Sequence, residues 1–196
     1  MSWTKLIRFV AEEDGRIYSG DCVTRGDLGL KYARREPILA RPLDRESPHP
    51  SSSSSGESPP LPPLLTVRTL LSPLSPRSVS SIRGLGLQYA PPSPSSSSSS
   101  QAHPPPAVPC LFLKPTSALA GPGDTIPVPL DACAERVDYE VELCVVIGER
   151  DCPPNTPATD ALEYVKGYTV VNDVTSRGLC TKGGAGQWGI GKNYDG

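Results

Sequence analysis

The sequence lacks any apolar run of the roughly 18 to 20 residues that a membrane-spanning helix needs. Its first residues, MSWTKLIRFVAEEDG, lack the apolar stretch of a signal peptide, and their acidic side chains are atypical of a transit peptide. A formal net charge of -2 without a long basic stretch gives no electrostatic footprint for nucleic acid or an anionic membrane. We therefore predict a cytoplasmic protein without nucleic-acid or membrane partners, and a mitochondrial location stays open.

Histidine is nearly absent, because the 196 residues include only His49 and His103. Both lie in segments dominated by serine and proline, whereas a Ser-His-Asp or Cys-His mechanism needs an imidazole held by packed structure. The six cysteines form no CxxC pair and no metal-type spacing, so they are interpreted as buried or idle thiols, and a reducing compartment is expected. Histidine- and cysteine-based mechanisms are therefore not expected.

Two low-complexity segments divide the chain. Residues 45–63, RESPHPSSSSSGESPPLPP, and residues 91–108 cannot bury enough apolar surface to offset the entropy of ordering them. We predict an N-terminal β unit at 1–44, a disordered linker at 45–63, and a second domain at 64–196 that carries the other segment as an insert. Within the first unit, TKLIRFV and IYSG flank the turn sequence EEDGR and predict a hairpin.

Glu140 and Glu142 belong to VDYEVELCVVIG, the strongest strand pattern in the chain. Residues two apart in a strand share a face, so these side chains project together from backbone positions about 6.5 to 7 Å apart. An isolated Glu-x-Glu is more often a solvated face, but here the same face becomes apolar at Cys144 and Val146, as a cavity wall would. The alternate, wholly apolar residues are predicted to be packed: Tyr139, Val141, Leu143, Val145 and Ile147.

Asp173 follows a second strand pattern, YTVVN, which comes after a short helix predicted over DALEYVK and closed by Gly167. A carboxylate there is costly to bury unless it is paired or bound to a metal, although capping of the next element is an alternative. Three carboxylates without His or Cys suit a hard cation such as Mg²⁺ or Mn²⁺ and fit Zn²⁺ poorly. Glu140, Glu142 and Asp173 are therefore predicted to bind one divalent cation.

Four segments resemble, in order and spacing, the core motifs of the fumarylacetoacetate hydrolase family: KPTSALAGPGDTIPVP, DYEVELCVVIG, GYTVVNDVTSR and GQWGIGKNYDG. The resemblance covers residues 65–89 and 109–196. It is strongest to the fumarylacetoacetate hydrolase domain-containing proteins, in which an N-terminal β unit precedes the catalytic domain. We therefore expect a mainly β (α+β) chain, with a small N-terminal β domain followed by part of a mixed β-sandwich or roll of the fumarylacetoacetase C-terminal type.

The resemblance also implies a chemistry. The family uses Mg²⁺ (or Mn²⁺) to chelate small 2-oxo or diketo acids, in C–C hydrolysis, decarboxylation or tautomerisation. By the same resemblance, Lys192 is the catalytic lysine, and Arg177 and Gln187 contact the substrate. Taken alone, Lys192 and Arg177 would be interpreted as solvated cations. A chain with the complete fold is expected to form a homodimer.

The sequence departs from the family pattern in two places. The family usually has a His three residues after the tyrosine that corresponds to Tyr89, and this chain has Pro92 there. Without that base, hydrolytic cleavage should lose a factor of about 10² to 10⁴. The family also continues with further strands beyond the position of Gly196. We therefore expect an incomplete catalytic domain, from a truncated or aberrant gene model.

Two other functions remain open at this stage. The chain could be a catalytically inactive homologue that only binds a metal or a partner protein. Alternatively, the Pro/Ser segments could serve as docking sites for proline-binding modules or as kinase targets.

Overall fold

A computed structural model describes residues 3–46, 60–86, 107–133, 136–182 and 188–194. Most of the predicted linker at 45–63 and of the insert at 91–108 lies outside these ranges, as do His49, His103 and Pro92. The described residues form mainly β structure with a few short helices, as predicted, and they divide into two compact units.

The N-terminal unit is a four-stranded closed barrel in the order β1-β2-β3-β4. Its elements are β1 Leu6–Ala11, β2 Ile17–Cys22, α1 Leu28–Ala33, β3 Leu39–Arg45 and β4 Leu65–Leu71. Every second residue of β1 is buried, because alternate strand residues face the barrel interior. The apolar core comprises Ile7, Phe9, Ala11, Tyr18, Cys22, Ile38, Ala40, Leu65 and Leu70.

The predicted hairpin is confirmed, since β1 and β2 pair antiparallel with Leu6 opposite Asp21 and Val10 opposite Ile17. The predicted boundary of this unit is wrong. Strand β4, which falls within the predicted second domain, pairs with both β1 and β3, and the compact unit reaches Ile82 and also includes Pro115–Pro127. Strand pairing across a long connection depends on tertiary contacts, so the composition of the linker did not mark the domain boundary.

A cavity of about 520 Å³ lies in this unit between α1 and β4. Tyr32 and Val67 contribute to its wall, and Arg35 and Arg68 also line it. None of its lining residues is a site residue predicted from the sequence, so this cavity does not correspond to the carboxylate cluster.

The second unit contains three two-stranded sheets, which pair β5 with β6, β7 with β10, and β8 with β9. Its elements are β5 Ile82–Gly86, β6 Cys110–Lys114, α2 Leu130–Cys133, β7 Val137–Asp138, β8 Val141–Ile147, β9 Val165–Asn172, β10 Thr175–Ser176 and α3 Arg177–Lys182. No helix in the described ranges has the length and apolar character needed to cross a membrane.

The β7–β10 and β8–β9 pairs share one register. Asp138 pairs with Thr175, and Val141 pairs with Asn172. The backbone N–H of Asp173 donates to the carbonyl of Glu140 between these two pairs, at 2.9 Å. Glu140 and Asp173 therefore occupy opposite positions in one long antiparallel hairpin.

The helix predicted over DALEYVK is wrong. The structure has one turn of 3-10 helix at Ala161–Tyr164, and β9 begins at Val165 and runs through Gly167, the residue predicted to close the helix. A strand forms instead of a helix because β9 is rich in β-branched and aromatic residues and pairs with β8 over most of its length.

The apolar face of β8 is not packed in the described chain, contrary to the sequence prediction. Tyr139, just before the strand, and its residues Val141, Leu143, Val145 and Ile147 are 45% to 71% exposed, and Tyr168 and Val170 of β9 extend the same exposed patch. The side that carries Glu142 is the partly buried one. The alternation was correctly identified, but which of the two faces is covered depends on elements that local sequence does not specify.

This patch predicts dye binding by the folded chain, because contiguous exposed apolar area binds hydrophobic probes. We expect Leu143→Lys to lower the fluorescence of 8-anilinonaphthalene-1-sulfonate that is bound to the folded chain. The control Ala158→Lys adds the same charge at an exposed residue away from the strands and should leave it unchanged. Equal fluorescence of wild type and Leu143→Lys would contradict the exposed patch.

Candidate metal centre

The shared register explains why the three predicted metal ligands meet. Glu140 and Asp173 are opposite each other, and the N–H of Glu140 also donates to the side-chain oxygen of Asn172 at 3.1 Å. Glu142 lies two residues further along the same face. Glu140, Glu142 and Asp173 each offer one oxygen, and these oxygens lie within 4.8 Å of one another. The structure thus brings all three together.

Lys192 lies against this cluster and is 4% exposed. Its ammonium donates to Asp173 Oδ2 at 2.5 Å, to Glu140 Oε1 at 3.1 Å and to Thr175 Oγ1 at 2.9 Å. These contacts use all three of its N–H donors. Burial opposes the charge, while the hydrogen bonds that the ammonium donates to Asp173 and Glu140 favour it, and the net effect raises the pKa of Lys192. The lysine is therefore held as an ammonium ion.

The position of Lys192 depends on a tight backbone approach. It follows a turn of 3-10 helix at Trp188–Gly191. A Cβ at Gly191 would lie 2.4 Å from Cys180 Sγ and 2.8 Å from the carbonyl oxygen of Ser176. Only glycine allows this segment to pack against β10 and α3, and that packing sets the neighbouring lysine beside the carboxylates.

Lys114 belongs to the same cluster, although the sequence assigned it no role. It ends β6, its Nζ lies 3.0 Å from Asp173 Oδ1, and it also donates to the backbone carbonyl of Lys192. Asp173 is thereby held by one ammonium on each of its two oxygens. The only signal in the sequence was that Lys114 opens the segment KPTSALAGPGDTIPVP, and no local pattern distinguished it from a solvated lysine.

Substitution of Lys114 by Met should destabilise the chain by about 1 to 3 kcal/mol, because one oxygen of the buried Asp173 loses its charged partner while Lys192 still pairs with the other. Lys114 and Asp173 expose only 12% and 4% of their side chains, so solvent screens this pair little. Urea unfolding measures the loss, and Lys114→Arg, which keeps the charge, should lose less. A Lys114→Met chain as stable as wild type would contradict the buried pair.

Glu142 is the carboxylate of the cluster that lacks a cationic partner. Within the described ranges it has no hydrogen bond or ion pair, whereas Glu140 and Asp173 both contact Lys192. Burial, followed by repulsion from Asp173 and Glu140, raises the pKa of Glu142. A divalent cation bound to the three oxygens would relieve this repulsion, and an all-oxygen donor set is the one that Mg²⁺ and Mn²⁺ prefer. The residues present therefore fit a hard divalent cation.

Arg177, one of the two predicted substrate-binding residues, lies at the edge of the cluster. It begins α3, and its guanidinium lies 3.1 Å from Glu140 Oε1 and 3.4 Å from Asp138 Oδ2. Its side chain is 45% exposed, so part of it faces solvent beside the carboxylates. Gln187 lies outside the described residues, and a substrate contact of either residue stays a prediction.

The thiols nearest the cluster are poorly suited to nucleophilic chemistry. Burial raises the pKa of both Cys144 and Cys180, so little thiolate forms near neutral pH. Both are free cysteines, as are Cys22, Cys110 and Cys152. These five cysteines are therefore unpaired, and the interpretation of Cys133 as an idle thiol stays a prediction.

The fold and the site together define a mainly β protein that carries a carboxylate cluster beside a buried lysine. Residues 82–196, more than half of the chain, match the family model described as "Fumarylacetoacetate (FAA) hydrolase C-terminal". The chain belongs to the fumarylacetoacetate hydrolase family, as its sequence motifs predicted.

Individual relatives agree with this membership. The chain is 44% identical over 90 residues to the Fumarylacetoacetate hydrolase domain-containing protein 2 homolog of Dictyostelium discoideum. This alignment covers 46% of this chain and 28% of that protein. It is 40% identical over 92 residues to the human Oxaloacetate tautomerase FAHD2B, mitochondrial. This second alignment covers 47% of this chain and 28% of that protein.

Among solved structures, the chain is similar to a 5-carboxymethyl-2-hydroxymuconate delta-isomerase from Mycobacterium smegmatis, with a TM-score of 0.61 and 26% identity. That alignment covers 97% of this chain and 62% of the isomerase. The predicted fold class, a mainly β chain of the fumarylacetoacetase type, is thereby confirmed. The chain spans less than half the length of the curated relatives it matches.

Proposed function

We propose that the site is that of a divalent-metal-dependent enzyme acting on small 2-oxo or diketo acids, with tautomerisation of oxaloacetate as the favoured reaction. The observation that carries the proposal is the cluster of Glu140, Glu142 and Asp173 oxygens, within 4.8 Å of one another, beside the ammonium of Lys192. Family membership supports it, as do the names of the human relative, an oxaloacetate tautomerase, and of the solved isomerase.

The roles of the residues follow from their charges. Bound Mg²⁺ or Mn²⁺ would supply Lewis acidity toward the carboxylate and 2-oxo oxygens of the substrate. Glu140, Glu142 and Asp173 would hold it. Lys192, already charged, would exchange one of its three hydrogen bonds for one to the substrate oxygen; it would then stabilise the negative charge that develops there and could deliver a proton.

Keto–enol interconversion suits these residues better than hydrolysis. It moves one proton between the carbon next to the 2-oxo group and the 2-oxo oxygen, and it breaks no bond of the carbon skeleton. Hydrolytic cleavage additionally requires a base that activates water, and the position at which the family usually has this His is Pro92 here. Decarboxylation, which needs charge stabilisation but no activated water, is the next candidate.

Arg177 and Gln187 complete the proposal as substrate contacts. The guanidinium of Arg177 could bind a substrate carboxylate through two parallel hydrogen bonds, because it is half exposed next to Glu140. In that role it would have to leave its contact with Glu140 at least in part. The amide of Gln187 would contribute a neutral hydrogen bond.

The decisive experiment combines metal binding with turnover in the same purified chain. Mn²⁺ binding is measured by calorimetry, and the loss of enol oxaloacetate is followed by ultraviolet absorbance with Mg²⁺, with Mn²⁺ and with EDTA. We expect binding and a metal-dependent rate above the uncatalysed one. Binding without turnover on a panel of 2-oxo acids would instead support a homologue that only binds, and neither binding nor turnover would refute the proposal for this polypeptide.

A further inference from the structure

The ammonium of Lys192 has a neighbour besides its three oxygen acceptors. The ring of Phe112 lies under it, with the ring centroid 4.6 Å from Nζ. Phe112 is 8% exposed, although Leu111 and Leu113 on either side of it in β6 are both 58% exposed. The ring is therefore the part of β6 that is directed at the lysine.

The backbone of β5 is shaped to admit this ring. A Cβ at Gly84 would lie 2.0 Å from Cζ of Phe112, a distance that no side chain could tolerate. Two residues along the same face of β5, a Cβ at Gly86 would lie 1.9 Å from the ring of Trp188. The rings of Phe112 and Trp188 contact each other, with centroids 6.1 Å apart and planes tilted by 51°. Two glycines thus open one slot for two rings.

We propose that Phe112 is a positioning residue for Lys192: its ring face holds the ammonium against Asp173, Glu140 and Thr175. The negative face of an aromatic ring attracts a cation, and the attraction is strongest where water is excluded, as around this buried lysine. The ring also occupies a side of the ammonium that water would otherwise solvate. The consequence for catalysis rests on the function proposed above, whereas the position of the lysine does not.

A purely structural role for Phe112 makes a different prediction. If the ring only fills space, Phe112→Leu and Phe112→Tyr should hold Lys192 in place about equally well. If the ring face holds the cation, Phe112→Tyr keeps this effect and Phe112→Leu loses it, because Leu supplies apolar bulk without a π-system. Leu113→Ala, on the opposite and exposed face of β6, is the matched control.

The position of the ammonium can be measured without turnover, by NMR of the chain labelled in its lysines. The ¹⁵N-ammonium signal of Lys192, assigned by its absence in Lys192→Met, should be observable because its three hydrogen bonds and the ring shield it from proton exchange with water. We expect this signal in wild type, Phe112→Tyr and Leu113→Ala, and its loss through faster exchange in Phe112→Leu. An ammonium signal of equal intensity in wild type and Phe112→Leu would overturn the proposal, because Leu would then hold the lysine as well as the ring does.

Steady-state kinetics test whether the position of the Lys192 ammonium affects catalysis. In Phe112→Leu we expect kcat on oxaloacetate to fall by about 10-fold, with KM and the Kd for Mn²⁺ nearly unchanged. Unchanged kcat despite a lost ammonium signal would refute the catalytic consequence. Failure of the proposed function would look different, since wild type itself would then lack metal binding and turnover, and the NMR comparison alone would decide the positioning role.

Discussion

Replacement of Glu142 by Gln is expected to weaken divalent-metal binding by more than about 100-fold, because loss of a partner outside the ligand shell already costs about 10- to 100-fold. Gln keeps the shape of the side chain and removes its charge. The same substitution should leave the metal-free chain at least as stable as wild type, since Glu142 is repelled by Asp173 and Glu140 and has no cationic partner in the described part of the chain.

This combination separates a metal ligand from a structural carboxylate. Neutralising a carboxylate that stabilises the fold would lower the free energy of unfolding, whereas neutralising one that serves to bind a cation should not. Calorimetric titration with Mn²⁺ and urea unfolding in EDTA measure the two effects. Glu149→Gln is the control, because Glu149 follows the same strand but is 92% exposed and pairs with Lys166 instead. If Glu142→Gln bound Mn²⁺ with wild-type affinity, Glu142 would not be a ligand of the metal.

Replacement of Lys192 by Met should reduce turnover by about 10² to 10⁴-fold, the usual contribution of a positioned proton donor or charge-stabilising group. Metal binding should survive and could strengthen, because the ammonium competes with a bound cation for the oxygens of Glu140 and Asp173. Asp173 would still be paired with Lys114, so one of its two oxygens keeps a charged partner.

Turnover and Mn²⁺ affinity measured on the same preparation test both halves of this prediction. Lys166→Met is the matched control: it removes a lysine from β9 whose partner is the exposed Glu149 and should alter neither quantity. If Lys192→Met retained turnover within about 10-fold of wild type, Lys192 would not be the group that stabilises charge on the substrate. If it lost Mn²⁺ binding instead, its role would be to maintain the carboxylate cluster.

The carboxylate cluster was predictable from the sequence for a simple reason. Strand residues two apart share a face, so Glu140 and Glu142 had to project together once the strand was recognised. Asp173 was identified by its place after an apolar run and by the family motif that contains it. That it lies directly opposite Glu140 depends on the register of a hairpin whose arms are separated by the 148–164 segment, and only the structure gives that register.

Other parts of the site carried no recognisable signal. Lys114 and Phe112 lie in a strand whose pattern predicts burial or exposure but not contact with Lys192, which lies 78 residues beyond Lys114. Gly84 is one of 18 glycines, and its purpose is visible only beside the ring it admits. A lone residue has no periodicity, so a role that depends on one distant partner leaves nothing in the local sequence to detect.

The sequence by itself determined the family, the mainly β class, the opening hairpin and the three carboxylates. Each of these depends on local periodicity or on a contiguous motif. The tertiary structure decided that β4 belongs to the N-terminal barrel, that the apolar face of β8 is exposed, and that Lys114 and Phe112 surround Lys192. These features depend on which distant segments pair, and that is decided by the free energy of the whole fold, to which each local segment contributes only a part.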